Sequence, residues 1–188
     1  STDLRGGFGG HGGRVVRAGD SLPLGAASAD THDAIDIAPW WIDTDQDLDF
    51  SDHIAVRVVP GSESIMPADA LHAREFVVDA ASNRQGLRLR GAPLRIAEPH
   101  ERISEPVVPG TIQLPPDGQP IVLLADAQTV GGYPRIGHVI AADMPRLAQR
   151  RAGQCLRFVA VDARHAQRLA AEQRARLARI ALAIGAHR

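Results

Sequence analysis

No lysine occurs anywhere in the 188 residues, and all 21 basic residues are arginine. A Schiff-base lysine, a P-loop lysine and a Ser-Lys catalytic pair are therefore excluded within this chain. The single cysteine, Cys155, excludes an internal disulfide and every two-cysteine zinc pattern. This scarcity fits a reducing cytoplasm. Within the strand-like QCLRFVAV, Cys155 reads as a small core hydrophobe rather than a nucleophile. The eight histidines are scattered, with no H-x-H or H-E-x-x-H, so the spacing predicts no metal site. G-x-S-x-G is also missing, which excludes an α/β-hydrolase elbow. No apolar run approaches the roughly 20 residues that cross a bilayer. The opening STDLRGGFGGHGG lacks the apolar core of a signal peptide. A net charge of −1 gives no global pull toward nucleic acid or membrane.

What is present is the composition of a globular protein, 44% apolar and 23% charged, long enough for one or two domains. Residues 1–29 are glycine-rich, with one extended pair at Val15-Val16 and a turn over Arg17 to Pro23. Gly7-Phe8-Gly9-Gly10-His11-Gly12 formally matches G-x-G-x-x-G, but neither a preceding strand nor a following helix start supports a dinucleotide loop. Residues 30–53 hold eight aspartates and read as a solvated acidic linker. Asp43, Asp45, Asp47 and Asp49 alternate as in a calcium loop, yet Leu48 and Ile54 occupy the positions that need glycine and glutamate. Ala38 to Ile42 is expected to pack on a barrel surface.

Residues 54–161 are mostly β. IAVRVV, EFVVDA, GLRLRG, PLRIAE, TIQL, PIVLLA, IGHVIA and CLRFVAV are eight extended candidates divided by Pro, Gly, Asp and Ser turns. Met144 to Arg151 predicts a short helix. Residues 162–188 predict a long one, capped by Asp162, striped by Leu169, Leu177, Ile180 and Ile184, and stopped at Gly185. Ten arginines lie between Arg146 and Arg188 against only Asp162 and Glu172. Without interleaved aromatics or a paired recognition helix they read as a solvated or docking face, not a nucleic-acid surface.

Two motifs carry candidate chemistry. GTIQLPPDGQPIVLLADAQTVGGYP places Asp126, Gln128 and Thr129 just beyond an apolar strand, followed by Gly131, Gly132 and Tyr133. Polar groups at a strand end beside glycines are a common way to build a binding site. Ser82-Asn83-Arg84 with Gly86 follows EFVVDA. Arginine offers a rigid fork suited to carboxylate or phosphate, and asparagine can hold a carbonyl or amide.

These motifs, with Ser1 to Gly25, VRVVPGSES and ADMPRLAQ, resemble the KipA or PxpC family of 5-oxoprolinase components, with its allophanate hydrolase and carboxyltransferase relatives. Gln85 and Leu87 depart from the family's SNRMGYRL. Family members are longer, with an N-terminal portion bearing a TTVQD-like motif, so the chain resembles their C-terminal part. The resemblance implies a mainly β fold: a cyclophilin-like β-barrel over 54–161, the remnant of a preceding β subdomain over 1–29, and a C-terminal α-helix. It further implies a cytoplasmic subunit of an ATP-dependent 5-oxoprolinase, active with KipI/PxpB-like and PxpA-like partners. Asn83, Arg84, Asp126 and Gln128 would be catalytic, and Ser82, Gly86, Thr129, Gly131, Gly132 and Tyr133 would bind substrate. The alternatives are a biotin-dependent carboxyltransferase domain and a regulatory partner of a kinase inhibitor.

Overall fold

Strict alternation in HIAVRVVP sends Ile54, Val56 and Val58 to one face of a strand and His53, Ala55 and Arg57 to the other. In a computed structural model that strand forms part of the wall of a closed barrel. The structure describes residues 2–4, 6–25, 40–42, 51–61, 70–96 and 103–186, so most of the acidic linker lies outside the described residues. The chain divides into two compact units, Ser1–Trp41 and Ile42–Arg188.

In the first unit β1 (Thr2–Asp3) and β2 (Phe8–Gly9) pair antiparallel. The turn that follows is held by Arg14, whose two terminal nitrogens each donate to Asp20 at 2.7 Å. The Arg17 amide donates to the same carboxylate. The Arg14 and Arg17 hydrogen bonds hold the Asp20 carboxyl below its usual range. Val15-Val16 forms no strand, because its surroundings bond locally: Arg14 donates to the Val15 carbonyl instead of a ladder partner. Among the described residues, turns and irregular backbone rather than a helix follow the Gly7–Gly12 run. Trp41, expected to pack on a barrel, is 85% exposed and belongs to this first unit.

The second unit carries β3 (His53–Pro60), β4 (Glu75–Val78), β5 (Gly86–Arg90), β6 (Glu105–Pro106) and β7 (Thr111–Gln113). Then come β8 (Ile121–Leu123), β9 (Val130–Gly131), β10 (Arg135–Val139), a 3-10 turn Ala141–Asp143, α1 (Met144–Ala148), β11 (Cys155–Ala160) and α2 (Ala163–Ala186). Seven strands close a barrel in the order β10-β3-β11-β4-β5-β8-β7. Every neighbouring pair is antiparallel except β3–β11, which runs parallel from His53↔Cys155 to Val58↔Ala160. A parallel pair requires a crossover. Here the chain leaves β10 on one side of β3, passes through the 3-10 turn and α1, and returns as β11 on the other. The mainly β barrel with a C-terminal helix is as the sequence implied.

Inward residues fill the barrel: Val56, Phe76, Leu89, Ile112, Val122 and Leu156 are all fully buried. Phe76 and Phe158 meet at 5.7 Å between ring centroids with planes at 53°. Such tilted pairs add about 0.5–1.5 kcal/mol beyond their burial.

Several expectations are corrected. PLRIAE forms no strand over 93–96; Pro93 has no amide to donate, and Leu94 makes one bond to the Gly118 carbonyl at the neighbouring turn. PIVLLA shortens to β8. The short helix ends at Ala148, where the Arg150 amide tightens onto the Leu147 carbonyl. Strands β1, β2, β6 and β9 are two residues each, too short to show a period. Asp162 caps α2 through the His165 amide at 2.7 Å, as expected, but the helix runs through Gly185. Its stripe is partly covered: Leu169, Ile180 and Ile184 are half-buried and Gln173 donates to the Ala142 carbonyl, whereas Leu177 is 54% exposed and no residue of α2 is fully buried. No helix among the described residues is long and apolar enough to cross a membrane.

The crossover is fastened by a buried carboxylate. Asp143, 1% exposed, accepts from the Arg57 amide at 2.7 Å, from its Nε at 3.0 Å and from its Nη2 at 2.5 Å. Arg150, itself buried, donates to the Ser51 carbonyl and so ties the end of α1 to the entry of β3. Replacing Asp143 by alanine leaves a buried amide and a partly buried guanidinium without their acceptor. Asp143→Ala is expected to cost about 3 kcal/mol, at the low end for breaking a buried pair because Arg57 is partly exposed. Urea unfolding of the two proteins measures it.

Candidate functional site

The β5–β8 ladder carries both motifs. Gly86 faces Leu123, Leu87 faces Val122, and Arg88 faces Ile121. The ladder's end is closed by short local bonds: the Leu124 amide donates to the Gln85 carbonyl, and the Asp126 amide donates to the Arg84 carbonyl at 3.2 Å. The side chains of these last two residues also meet, with Arg84 Nε 3.0 Å from Asp126 Oδ2. Two residues from separate sequence motifs are thereby joined, both partly exposed at 67% and 47% of their side-chain surface. The contact engages Nε, so the terminal nitrogens of the Arg84 fork are not committed to it.

The other members of the first motif shape the turn. Asn83 Oδ1 accepts from the Gln85 amide at 2.8 Å and from the Gly86 amide at 3.3 Å, a side-chain turn that fixes how Arg84 is presented. Ser82 Oγ accepts from the Arg88 amide at 3.0 Å and donates to the Arg88 carbonyl, stapling the hairpin.

In the second motif, Gln128 and Thr129 lie just beyond the same strand end, and the Thr129 carbonyl accepts from the Val107 amide. Gly131 sits in β9, paired with Glu105 of β6. A Cβ there would lie 2.4 Å from Nε2 of the buried Gln113, so the backbone approaches closer than any side chain permits. That Nε2 has no hydrogen-bond partner among the described residues. Gly132 is exposed.

Tyr133 opens onto a cleft of about 400 Å³ on the outer face of the ladder, with Arg88, Arg90, Gln119, Pro120 and Ile121 among its walls. Arg90 Nε is bonded to Asp79, whose carboxyl is held below its usual range chiefly by that contact, then by the Ala81 amide. Gln119 is spent on the Gly91 backbone, accepting at 2.9 Å and donating at 3.2 Å. Arg88 makes no side-chain hydrogen bond among the described residues and feels Asp79 only at longer range. The cleft thus offers one uncommitted guanidinium, a phenol and apolar walls beside the Asp117 carboxylate, whose Oδ1 accepts from the Gln119 amide, and the guanidinium suits a small carboxylate-bearing molecule. Sequence reasoning passed over Arg88 and Arg90. The signal was the alternation in GLRLR, which sends both arginines outward.

A second cleft, of about 290 Å³, lies beside β10 between Val59, Pro60, Val107, Thr111, Arg135 and His138. Gly110, at φ +93°, lets the chain turn beneath the His138 ring, where a Cβ would lie 3.0 Å from Nε2. Burial pushes the His138 imidazole below its ordinary value of 6.5. The folded protein therefore binds this proton less readily than the unfolded chain. The associated stability is complete above the unfolded value and falls as pH drops below it, until the folded value is passed. His138→Gln is expected to flatten the loss of unfolding free energy below about pH 6.5. Denaturant titrations across pH 5–7.5 test this.

Residues 1–160 match the model of the carboxyltransferase domain, subdomains A and B. Over 163 residues the chain is 40% identical to the 5-oxoprolinase C subunit of Escherichia coli (strain K12), covering 85% of this chain and 49% of that protein. Over 176 residues it is 38% identical to the 5-oxoprolinase C subunit of Haemophilus influenzae, covering 90% of this chain and 52% of that protein. The chain spans about half the length of these curated relatives. In fold it is similar to the Kluyveromyces lactis urea carboxylase, with a TM-score of 0.69 at 24% identity over 89% of this chain and 16% of that one.

Proposed function

Since the chain belongs to the carboxyltransferase domain family, subdomains A and B, we propose that it serves within a multi-subunit, ATP-dependent 5-oxoprolinase that opens the lactam of 5-oxoproline to glutamate. The observation that carries this reading is the 40% and 38% identity to two 5-oxoprolinase C subunits along nearly the whole chain. KipI/PxpB-like and PxpA-like subunits are the partners it requires, and a cytoplasmic setting is where ATP and reduced Cys155 coexist.

The lactam amide is resonance-stabilised, so opening it needs its carbonyl activated and the developing charge met by fixed donors. With no lysine, and with the glycine run at residues 7–12 opening into no helix among the described residues, a nucleotide would be held without a Walker loop or supplied by another subunit. ATP, which activates the carbonyl, is read here as bound together with the partner subunits. This chain's part is positioning. The uncommitted end of the Arg84 fork takes developing negative charge, and Asp126 holds the guanidinium in place. Asn83 sets the turn that presents Arg84, while Gln128 and Thr129 offer polar contacts at the same strand end. Arg88 and Tyr133 in the cleft suit the substrate carboxylate, with Ser82, Gly86, Gly131 and Gly132 shaping the backbone around both.

The runner-up is a carboxyltransferase acting between carboxybiotin and an amide such as urea, favoured by the matching family model. Biotin would then be carried outside these 188 residues, as no lysine here can hold it.

Mass-spectrometric assay of the full-length protein co-expressed with its partners separates the two. Glutamate from 5-oxoproline plus ATP supports the first reading, and carboxylation of urea with biotin and bicarbonate supports the second. The 188-residue chain alone is expected to release no glutamate. In the assembled enzyme Arg84→Ala is expected to lower turnover about 10-fold or more, the loss of one charge-assisted contact. Unchanged kinetics in an intact complex would make Arg84 a solvated turn residue.

A further inference from the structure

On the barrel wall β11 runs between β3 and β4. His53 lies opposite Cys155 in the parallel β3–β11 ladder, and Glu75 lies opposite Arg157 on the β4 side. Positions far apart in sequence are thereby gathered on one patch. An imidazole nitrogen, a thiol sulfur and a carboxylate oxygen all lie within 4.8 Å of one another. His53 Nδ1 is already 2.7 Å from Glu75 Oε1.

From this cluster we propose that His53, Glu75 and Cys155 form a site for Zn(II), with water in the fourth position. Zinc bonds of about 2.0–2.3 Å at tetrahedral angles put ligand atoms roughly 3.3–3.8 Å apart. Reaching that spacing takes shifts of about an ångström. His53 and Glu75, 68% and 55% exposed, can make them by side-chain rotation around Cys155, which is half-buried on the central strand. The donor set selects the metal. A thiolate disfavours magnesium and calcium, whereas sulfur, imidazole and carboxylate together suit zinc.

Binding replaces the thiol proton: Cys155–SH and Zn(II) give the zinc thiolate and H⁺, with no change of oxidation state. The His53–Glu75 hydrogen bond opens as both turn to the ion. Arg157 is exposed two residues from Cys155 on the same face, and its charge opposes the cation. An ion here would join three strands, including both members of the parallel pair, and would stabilise the folded chain by mass action.

Cobalt(II) is the spectroscopic probe. Titrated into the 188-residue chain in chelator-free buffer with a phosphine reductant, it is expected to bind once per chain. The site should show a thiolate-to-cobalt charge-transfer band and intense four-coordinate visible bands, both displaced by Zn(II). Cys155→Ala should abolish the charge-transfer band. His53→Gln and Glu75→Gln, at exposed positions and checked for folding by circular dichroism, should weaken binding beyond the roughly 10–100-fold cost of losing an outer partner. Arg157→Gln should tighten it, and His165→Gln on α2 should leave it unchanged. Three results would each overturn the site: no thiolate band, half-stoichiometric binding that joins two chains, or unaltered affinity in both His53→Gln and Glu75→Gln.

Discussion

The barrel depends on what happens at Arg57. There the β10–β3 ladder ends, with the Ile140 amide donating to the Arg57 carbonyl, and the chain departs into the 3-10 turn. The Arg57 amide would be left without a ladder partner, and the Asp143 carboxylate supplies one while also gripping the guanidinium. A single side chain thus ends one strand pairing and sets where the crossover leaves. Because the crossover must return on the far side of β3, the same contact fixes where β11 enters. An uncompensated carboxylate at 1% exposure would be costly, so this geometry is strongly specified once the barrel closes.

The candidate site rests on rigid parts of this frame. Leu87 and Leu89 alternate inward on β5 while Arg88 and Arg90 alternate outward, so the residues that hold the core also aim the arginines. The Arg84 turn is fixed by its neighbours' side chains rather than by its own. An all-arginine complement suits such a site, since a planar fork loses less freedom per hydrogen bond than a flexible ammonium stem.

How far the sequence revealed this depends on the range of each interaction. Six of the seven barrel strands can be read as alternating or apolar runs with turn residues on both sides, and the seventh, TIQ, as a short extended piece after a glycine. Local chemistry also identified Asp162 as a cap, because a cap acts over three residues. PLRIAE misled because its apolar residues are buried without a ladder, and burial and pairing leave the same trace in sequence. Arg84 and Asp126 were legible only as members of two separate motifs, and their pairing, like the roles of Asn83 and Ser82, needed the turn itself. Arg57–Asp143 and the His53, Glu75 and Cys155 patch were invisible. Each joins residues through strand order, and strand order leaves no spacing rule in the chain. The stripe of α2 was legible as an apolar face, but periodicity does not show that Leu169, Ile180 and Ile184 are half-buried while Leu177 stays exposed.

The parallel pairing of β3 with β11 also orders events in time. Its partners are about a hundred residues apart, so joining them carries a large loop-closure cost and gives the barrel many long-range contacts. During synthesis β3 emerges about a hundred residues before β11, the strand that pairs its second edge in the finished barrel. β4, β5, β7, β8 and β10 can assemble as neighbouring antiparallel pieces, but the cylinder stays an open sheet until β11 follows the crossover out. Until then the nascent barrel exposes strand edges that the closed one lacks. A chain truncated anywhere before residue 155 would keep that open edge permanently, and association through it would be the expected fate.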